Sequence, residues 1–321
     1  MRMAHRLLAV LIAATFTLLA GCGGESSGDG PAGRFVLASG GQTGVYYPTA
    51  NAIKRLAKKQ ADGLLLDVPT TGGSVANARM LAKDEAQFAV MQNDIAVYAR
   101  QGQLMFKEDG PDENLMGVAA LYPEHVQIVA RADADIATVD DLAGKRIAIG
   151  AVGSGTEANA LQILQAYGIA EADLAKVERL KASEARDYLQ DNRVDAAFFT
   201  FGVGTAAILD LAQQTDIALV PVTGDARTQL MENYTFYRAA TIPAGSYPGV
   251  DADVPTVSVI ATLVCRKDVP ADVVEAVLRG IFMNLDEFKQ AHARLADIDR
   301  NTAEAYLAVP AHEGAKAFYG K

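Results

Sequence analysis

The chain reads Asp141-Leu142-Ala143-Gly144-Lys145-Arg146, then Ile147-Ala148-Ile149-Gly150, then Ala151-Val152-Gly153-Ser154-Gly155-Thr156. A short apolar run at Arg146–Gly150 predicts a strand. It ends in a Gly/Ser-rich turn, and an amphipathic pattern follows over Thr156–Tyr167. Strand, glycine turn and helix in succession form the repeating unit of a parallel α/β sheet. The same order already runs through the chain from Phe35 onward and restarts at Asp141–Arg146, so the sequence divides into two α/β units.

Working outward toward the N-terminus, Phe35–Ala38, Leu64–Val68 and Phe88–Gln92 predict strands. Helices are expected at about Pro48–Lys59, Ser74–Ala82 and Asp94–Arg100; in the first, Ala50, Ile53, Leu56 and Ala57 recur at spacings of three and four. Toward the C-terminus, strands are expected at Met116–Leu121, His125–Ala130, Val177–Lys181, Ala196–Thr200, Ile217–Val220 and Thr256–Val264. Helices are expected at Ser183–Asp191, Thr205–Gln213, Ala271–Phe288 and Thr302–Leu307. Almost 290 residues, over 34–321, are long for one core and natural for two lobes. The pattern predicts parallel sheets with helices on both faces and a shared cleft at the carboxyl ends of the strands. The crossings between lobes are expected near Tyr122–Val129 and Thr223–Tyr237.

The first residues carry Arg2 and Arg6, no acid before Glu25, and an apolar run from Leu7 to about Ala20 ending in Leu19-Ala20-Gly21-Cys22. This describes a secretory signal peptide over 1–21; the run falls short of the roughly 20 apolar residues that span a bilayer. Leu-Ala-Gly-Cys resembles the bacterial lipobox, which makes Cys22 the expected site of lipidation and the mature protein extracytoplasmic and membrane-anchored. Residues 22–33 form a flexible tether; after Cys22 they are Gly, Ser, Asp, Glu and Pro with one Ala, reaching roughly 35–40 Å at about 3.5 Å per residue. With Cys22 acylated, Cys265 has no disulfide partner. The net charge is −10, and −12 once Arg2 and Arg6 are removed, which argues against nucleic acid or anionic lipid as a partner while leaving room for a locally positive ligand site.

Signatures of catalysis are scarce. His125, His292 and His312 are dispersed, with no HxxxH or Cys/His pair, so no metal is expected. There is no Gly-x-Ser-x-Gly elbow, no Walker lysine, and no dinucleotide spacing around Gly40, Gly41 and Gly44, so neither a catalytic residue nor a cofactor is expected. Three strand-to-helix junctions are instead rich in small polar residues: Ser39–Pro48, Thr70–Ser74 leading to Asn77, and Gly150–Thr156. Each sets backbone N–H groups and hydroxyls at a helix N-terminus, where the dipole is positive and donors lack partners. Any one of them reads first as an N-cap and a tight turn; three together point to a shared anion site.

These loops resemble those of the TAXI-type solute-binding proteins of TRAP transporters. The resemblance is carried by Gly41-x-x-Gly44-x-Tyr46-Tyr47-Pro48, Thr71-Gly72-Gly73-Ser74-x-x-Asn77, Gln92-x-Asp94, Asp141-Leu142-x-Gly144-Lys145-Arg146, Gly153-Ser154-Gly155-Thr156 and Asp195-Ala196-Ala197-Phe198. Thr241–Gly249 and Pro310-x-His312-x-Gly314-Ala315 continue it, in order, over residues 34–321. It implies an α/β, two-lobed periplasmic binding protein, a type II-like clamshell with lobe 1 at 34–124 and 224–321 and lobe 2 at 125–223. Such a receptor closes on a small organic anion, glutamate-like or a 2-oxo or dicarboxylate, and delivers it to integral membrane TRAP permease subunits. Carried over residue by residue, the ligand-binding set is Gly44, Tyr46, Thr71, Ser74, Asn77, Gln92, Asp94, Ser154, Gly155 and Thr156, with Phe199 as a wall. In this reading Gln92 or Asp94 holds an amino or polar end. Gly202-Val203-Gly204-Thr205 departs from the Gly-Val-Pro of many relatives, and Val45 replaces a small residue; both bear on the ligand rather than the class. Two alternatives keep the fold: a lipoprotein sensor or adhesin outside transport, and an extracytoplasmic enzyme, against which stands the lack of a nucleophile–base pair.

Overall fold

The computed structural model describes residues 30–42, 44–296 and 298–320; the leader and Cys22 lie outside them. In chain order the elements are β1 (Gly33–Ala38), α1 (Tyr46–Gln60), β2 (Leu64–Asp67), α2 (Ser74–Ala82), β3 (Phe88–Gln92), α3 (Asn93–Gln101) and β4 (Leu115–Arg131). Then come β5 (Arg146–Ala148), α4 (Gly155–Ala166), β6 (Lys176–Glu178), α5 (Ala182–Gln190), β7 (Ala196–Phe201), α6 (Ala206–Ala212), β8 (Ile217–Val220) and α7 (Gly224–Asn233). The chain ends with β9 (Arg238–Ile242), β10 (Val254–Arg266), α8 (Ala271–Met283), α9 (Leu285–Gln290), α10 (Arg300–Ala305) and α11 (Glu313–Tyr319). Gly33, assigned to the tether by sequence, is already the first residue of β1, its N–H bonded to Gly63 O at 2.9 Å.

The strands form one ten-stranded sheet in the order β2-β1-β3-β10-β4-β7-β5-β6, with β8 on β4 and β9 on β10. It is mixed, which corrects the all-parallel expectation: β10 runs antiparallel to β3, β4 and β9, and β4 antiparallel to β7 and β8. Alternation builds two packed layers in each lobe, because successive side chains of a strand face opposite sides. In β3, Phe88 and Val90 face α1 and α8, whereas Ala89 and Met91 face α2 and α3. In β7, Ala196 and Phe198 pack toward α4, while Ala197 and Phe199 pack toward α5 and α6. Cys265 is buried in β10 as a free thiol.

The two strands expected at Met116–Leu121 and His125–Ala130 are one seventeen-residue strand, β4. Its first half belongs to the core of lobe 1 through Val118, Ala119 and Tyr122, and its second to lobe 2 through Val126 and Ile128. Strand β10 makes the return crossing beside it, Val257 and Val259 lying in the lobe 2 core and Ala261 and Leu263 in the lobe 1 core. The return thus lies within β10 rather than at Gly224. Leu230, Tyr237, Ile242, Tyr247 and Val250 all pack with lobe 2: α7 lies against α4, and β9 pairs along β10. Among the described residues no helix is long and apolar enough to cross a membrane.

Candidate functional site

A cavity of about 370 Å³ opens where the two lobes meet. Its lobe 1 wall is Gly40–Gln42 and Gly44–Tyr46, Thr70–Ser74, Gln92 and Glu124; its lobe 2 wall is Gly150, Ala151, Ser154–Thr156, Leu180–Ser183 and Phe198–Phe201. Of the residues singled out from sequence, Gly44, Tyr46, Thr71, Ser74, Gln92, Ser154, Gly155, Thr156 and Phe199 line it; Asn77 and Asp94 do not.

The reason for the latter is helix phase. Asn77 faces into lobe 1, its Nδ2 donating to Ser39 O at 2.6 Å and Val90 O at 2.8 Å. It holds the first two glycine junctions to β3. Thr71 reaches the cavity wall, but its hydroxyl serves the same scaffold: it donates to Asn77 Oδ1 at 2.6 Å and accepts from Gly73 N at 3.1 Å. Ser74 Oγ accepts from Gln92 N at 3.1 Å. The lobe 1 hydroxyls expected to hold an anion are thus largely committed to shaping the loop.

The lobe 2 junction is different. Ser154 caps α4, its Oγ accepting from Glu157 N at 3.1 Å, and Thr156 Oγ1 accepts from Thr200 N at 3.2 Å. Neither hydroxyl proton has an acceptor among the described residues, and the N–H groups of Gly155 and Thr156 precede the first intrahelical partner. With the helix dipole added, the N-terminus of α4 is the cavity's main set of uncommitted donors. Lys181 adds a cation at the lobe 2 wall. Thr200 Oγ1 is buried there without a partner among the described residues.

The lobes touch beside the cavity. Ala76 N donates to Gly153 O at 3.3 Å, and Gln92 Nε2 donates to Asn159 Oδ1 at 2.7 Å. From Asn159 a buried chain continues: its Nδ2 donates to Asp94 Oδ2 at 2.8 Å and to Tyr237 OH at 2.7 Å, Tyr237 donates to Gln162 Oε1 at 2.6 Å, and Gln162 Nε2 donates to Tyr98 OH at 2.8 Å. Asp94 is therefore a closure residue; burial pushes its carboxyl up to about 6, against the Asn159 hydrogen bond. Gly155 is needed for this approach, since a Cβ there would lie 1.1 Å from Gln92 Oε1. These contacts describe a closed clamshell.

Sequence reasoning missed Glu124. It is 1 % exposed, sits at the crossing of β4 between lobes, and borders the cavity. Tyr46 OH donates to its Oε2 at 2.7 Å; Tyr46 lines the cavity and Tyr47 does not. Burial pushes the Glu124 carboxyl up to about 8, with Asp94 adding to the effect and Tyr46 opposing it. The signal in the sequence was a single acid inside the apolar run Leu115–Ala130, at an expected crossing.

A second, larger cavity of about 490 Å³ lies between α3, the Asn233–Arg238 segment and Ala305–Ala308. Its wall is an aromatic cluster, Tyr98 on Phe236 at 5.3 Å and Tyr234 on Phe236 at 5.7 Å. It holds no acid, and its one cation, Arg238, already covers the Tyr306 ring at 4.9 Å. Among the described residues no cluster of His, Cys, Asp and Glu is arranged to hold a metal ion.

The family model described as NMT1-like matches residues 37–320. The chain belongs to the NMT1-like family. Among solved structures, this NMT1-like protein is similar to MatC from Rhodopseudomonas palustris with bound malate, at 15 % identity over 89 % of this chain and 97 % of that one, TM-score 0.57. It is similar to a putative L-cystine ABC transporter from Listeria monocytogenes, at 12 % identity over 82 % and 96 %, TM-score 0.52. It also resembles the GluR0 ligand-binding core from Nostoc punctiforme in complex with L-glutamate, at 14 % identity over 82 % and 100 %, TM-score 0.50. At these identities the likeness is one of fold: the NMT1-like chain has the mixed α/β architecture of the two-lobed binding proteins. In that architecture the cavity of this chain lies between the lobes.

Proposed function

We propose that this protein is an extracytoplasmic receptor that closes on a small organic anion and presents it to a membrane permease. The observation that supports this reading most directly is the uncommitted N-terminus of α4, with Ser154, Gly155 and Thr156 on a closed inter-lobe cavity. Backbone and hydroxyl donors at a helix N-terminus bind a carboxylate without a cationic side chain. Malate and L-glutamate in two of the fold neighbours are ligands of that size and charge. Ligand held between the lobes stabilises the closed form by its differential affinity for it.

A thermal-shift screen over dicarboxylates, 2-oxo acids and amino acids tests the reading. At least one class is expected to raise the melting temperature in step with its concentration over its dissociation constant. Ser154→Ala with Thr156→Val removes both free hydroxyl protons, weakening the cap by about 1 kcal/mol, and is expected to lose most of the ligand-dependent increment, roughly a tenfold drop in affinity for each ~1.4 kcal/mol lost. A response to sugars or metal ions alone, or an unchanged increment in the double variant, would sink it.

For the permease, the TAXI-like motifs favour a TRAP-type partner driven by an ion gradient. The putative L-cystine ABC transporter among the neighbours favours a second reading, an ATP-driven partner on the same fold. Uptake of the labelled ligand into cells separates them: dissipating the ion gradient stops the first, depleting ATP with the gradient held stops the second. The lipobox reading of Cys22 places the receptor on a membrane. Cys22→Ser is then expected to move the protein from the membrane to the soluble fraction, and retention in the membrane fraction would refute the anchor.

A further inference from the structure

Glu124 combines three features that no other cavity residue shares. It is almost wholly buried, it borders the cavity, and only one of its two carboxyl oxygens has a protein partner. Oε2 accepts from Tyr46, whereas Oε1 receives no hydrogen bond from the described residues. The groups packed around it carry no compensating cation: Tyr46 comes from α1, Tyr122 and His125 from its own strand, and Asp94 from α3. The Arg294 guanidinium acts on His125, and Lys181 belongs to the opposite wall. A carboxyl removed from water without a positive partner keeps its proton until one is supplied.

The two sides of the cavity therefore differ in sign. The α4 N-terminus and Lys181 suit a negative group; Oε1 of Glu124 suits a positive one. We infer that Glu124 receives the protonated amine of the bound molecule, so that the cleft takes 2-amino acids in preference to 2-oxo acids of the same carbon skeleton. This rests on the inter-lobe cavity being the binding site. The exchange is balanced: the ligand's ammonium arrives already protonated, Glu124 gives its own proton to solvent, and an ion pair replaces the neutral acid. Because burial holds that carboxyl at about 8 in the empty protein, binding at pH 7 releases close to one proton per ligand, and amino-acid affinity rises with pH until the carboxyl is ionised without help. The pairing further explains why a carboxyl is kept at a lobe crossing at all, since a charge pair buried on closure weights the closed form.

The experiment is titration calorimetry on the full chain, with three matched pairs: L-glutamate and 2-oxoglutarate, L-leucine and 4-methyl-2-oxopentanoate, L-alanine and pyruvate. Each is run at pH 7 in two buffers of different ionisation enthalpy. At least one amino acid is expected to bind the native protein ten-fold or more tighter than its oxo partner, with about one proton released. Glu124→Gln is expected to lose that preference and the proton release while keeping any oxo-acid binding; Glu124→Asp serves if the amide variant unfolds. Tighter binding of the oxo acid, binding of the amino acid without proton release, or an undiminished preference in Glu124→Gln overturns the inference alone. Absence of binding by all six overturns it together with the small-anion reading of the cavity, which the Ser154/Thr156 variant tests separately.

Discussion

Glu124 also leaves a mark on stability that requires no ligand. Its carboxyl ionises near 4.5 in an ordinary setting and near 8 in the fold. Between those values the folded chain holds a proton that the unfolded chain has lost, so stability is fully present at low pH and declines as pH rises through that window. Asp94 acts with the same sign at lower pH, its carboxyl raised from 3.8 to about 6 by burial. His125 acts oppositely: burial and the nearby Arg294 push it from 6.5 down to about 4, so its contribution is lost as pH falls below 6.5. From pH 6.5 to 8 Glu124 carries most of the change in the fold, since Asp94 is already largely ionised and His125 largely neutral. The empty native protein is expected to lose about 1.5 kcal/mol across that interval, a little under the full ~1.4 kcal/mol per pH step because the carboxyl is half ionised at the upper end, and Glu124→Gln is expected to remove most of the slope. Urea unfolding at the two pH values measures it; a flat native profile, or a slope that survives the substitution, contradicts the assignment.

At the scale of elements, short apolar runs located most of the strands, because the central strands are buried on both faces, and the period-3.6 pattern located most of the helices, because each buries one stripe. Two features were not legible that way. The β4 strand reads as two because Pro123 and Glu124 interrupt its apolar run, yet the ladder to β10 continues past them, with a register shift between Ala261 and Thr262. Opposite Pro123, Ile260 N finds a side-chain acceptor, Asn93 Oδ1, at 3.0 Å. The lobe that α7 and β9 join was not legible for a different reason: it depends on long-range packing, α7 against α4 and β9 along β10, which local pattern does not encode. The motifs divide likewise. Asp141 accepts from Thr138 N at 2.8 Å and Ala137 N at 3.0 Å and so caps a turn. Asp195 clamps Arg146, and His312 Nδ1 accepts from Gly314 N at 3.1 Å, where a Cβ would lie 2.2 Å from Ala271 O. These residues are structural, as are Asn77 and most of Thr71, while the α4 junction keeps its donors free. Sequence spacing finds all such junctions alike; only the hydrogen-bond ledger separates a loop that supports itself from one with donors to spare.

For the whole molecule, two strands carry the chain between lobes, and two further sets of contacts join the lobes in the closed arrangement. One is the Gln92–Asn159–Tyr237–Gln162–Tyr98 chain. The other is Arg294, whose segment packs in lobe 1 through Leu295 and whose side chain lies along Gly202 at the end of β7 in lobe 2. A Cβ at Gly202 would stand 2.3 Å from both Cγ and Cδ of Arg294 and 3.3 Å from its Cβ. The collision involves the stem of the side chain, so it is not relieved by swinging the guanidinium alone. Gly202 is not among the glycines with positive φ, so a larger residue is not strained by its own backbone. Neither Gly202 nor Arg294 lines the cavity. Gly202→Leu is therefore expected to act as a wedge that raises the free energy of closure while leaving both lobes folded and the ligand contacts chemically intact. A wedge costing ~1.4 kcal/mol lowers ligand affinity about tenfold, since a ligand that needs the closed form is weakened by the fraction of molecules unable to reach it. Small-angle scattering with saturating ligand should show the native protein contracting and Gly202→Leu contracting less, with unchanged far-ultraviolet circular dichroism. Equal contraction at equal affinity would mean that Arg294 yields freely and that closure is governed by the Asn159 side alone.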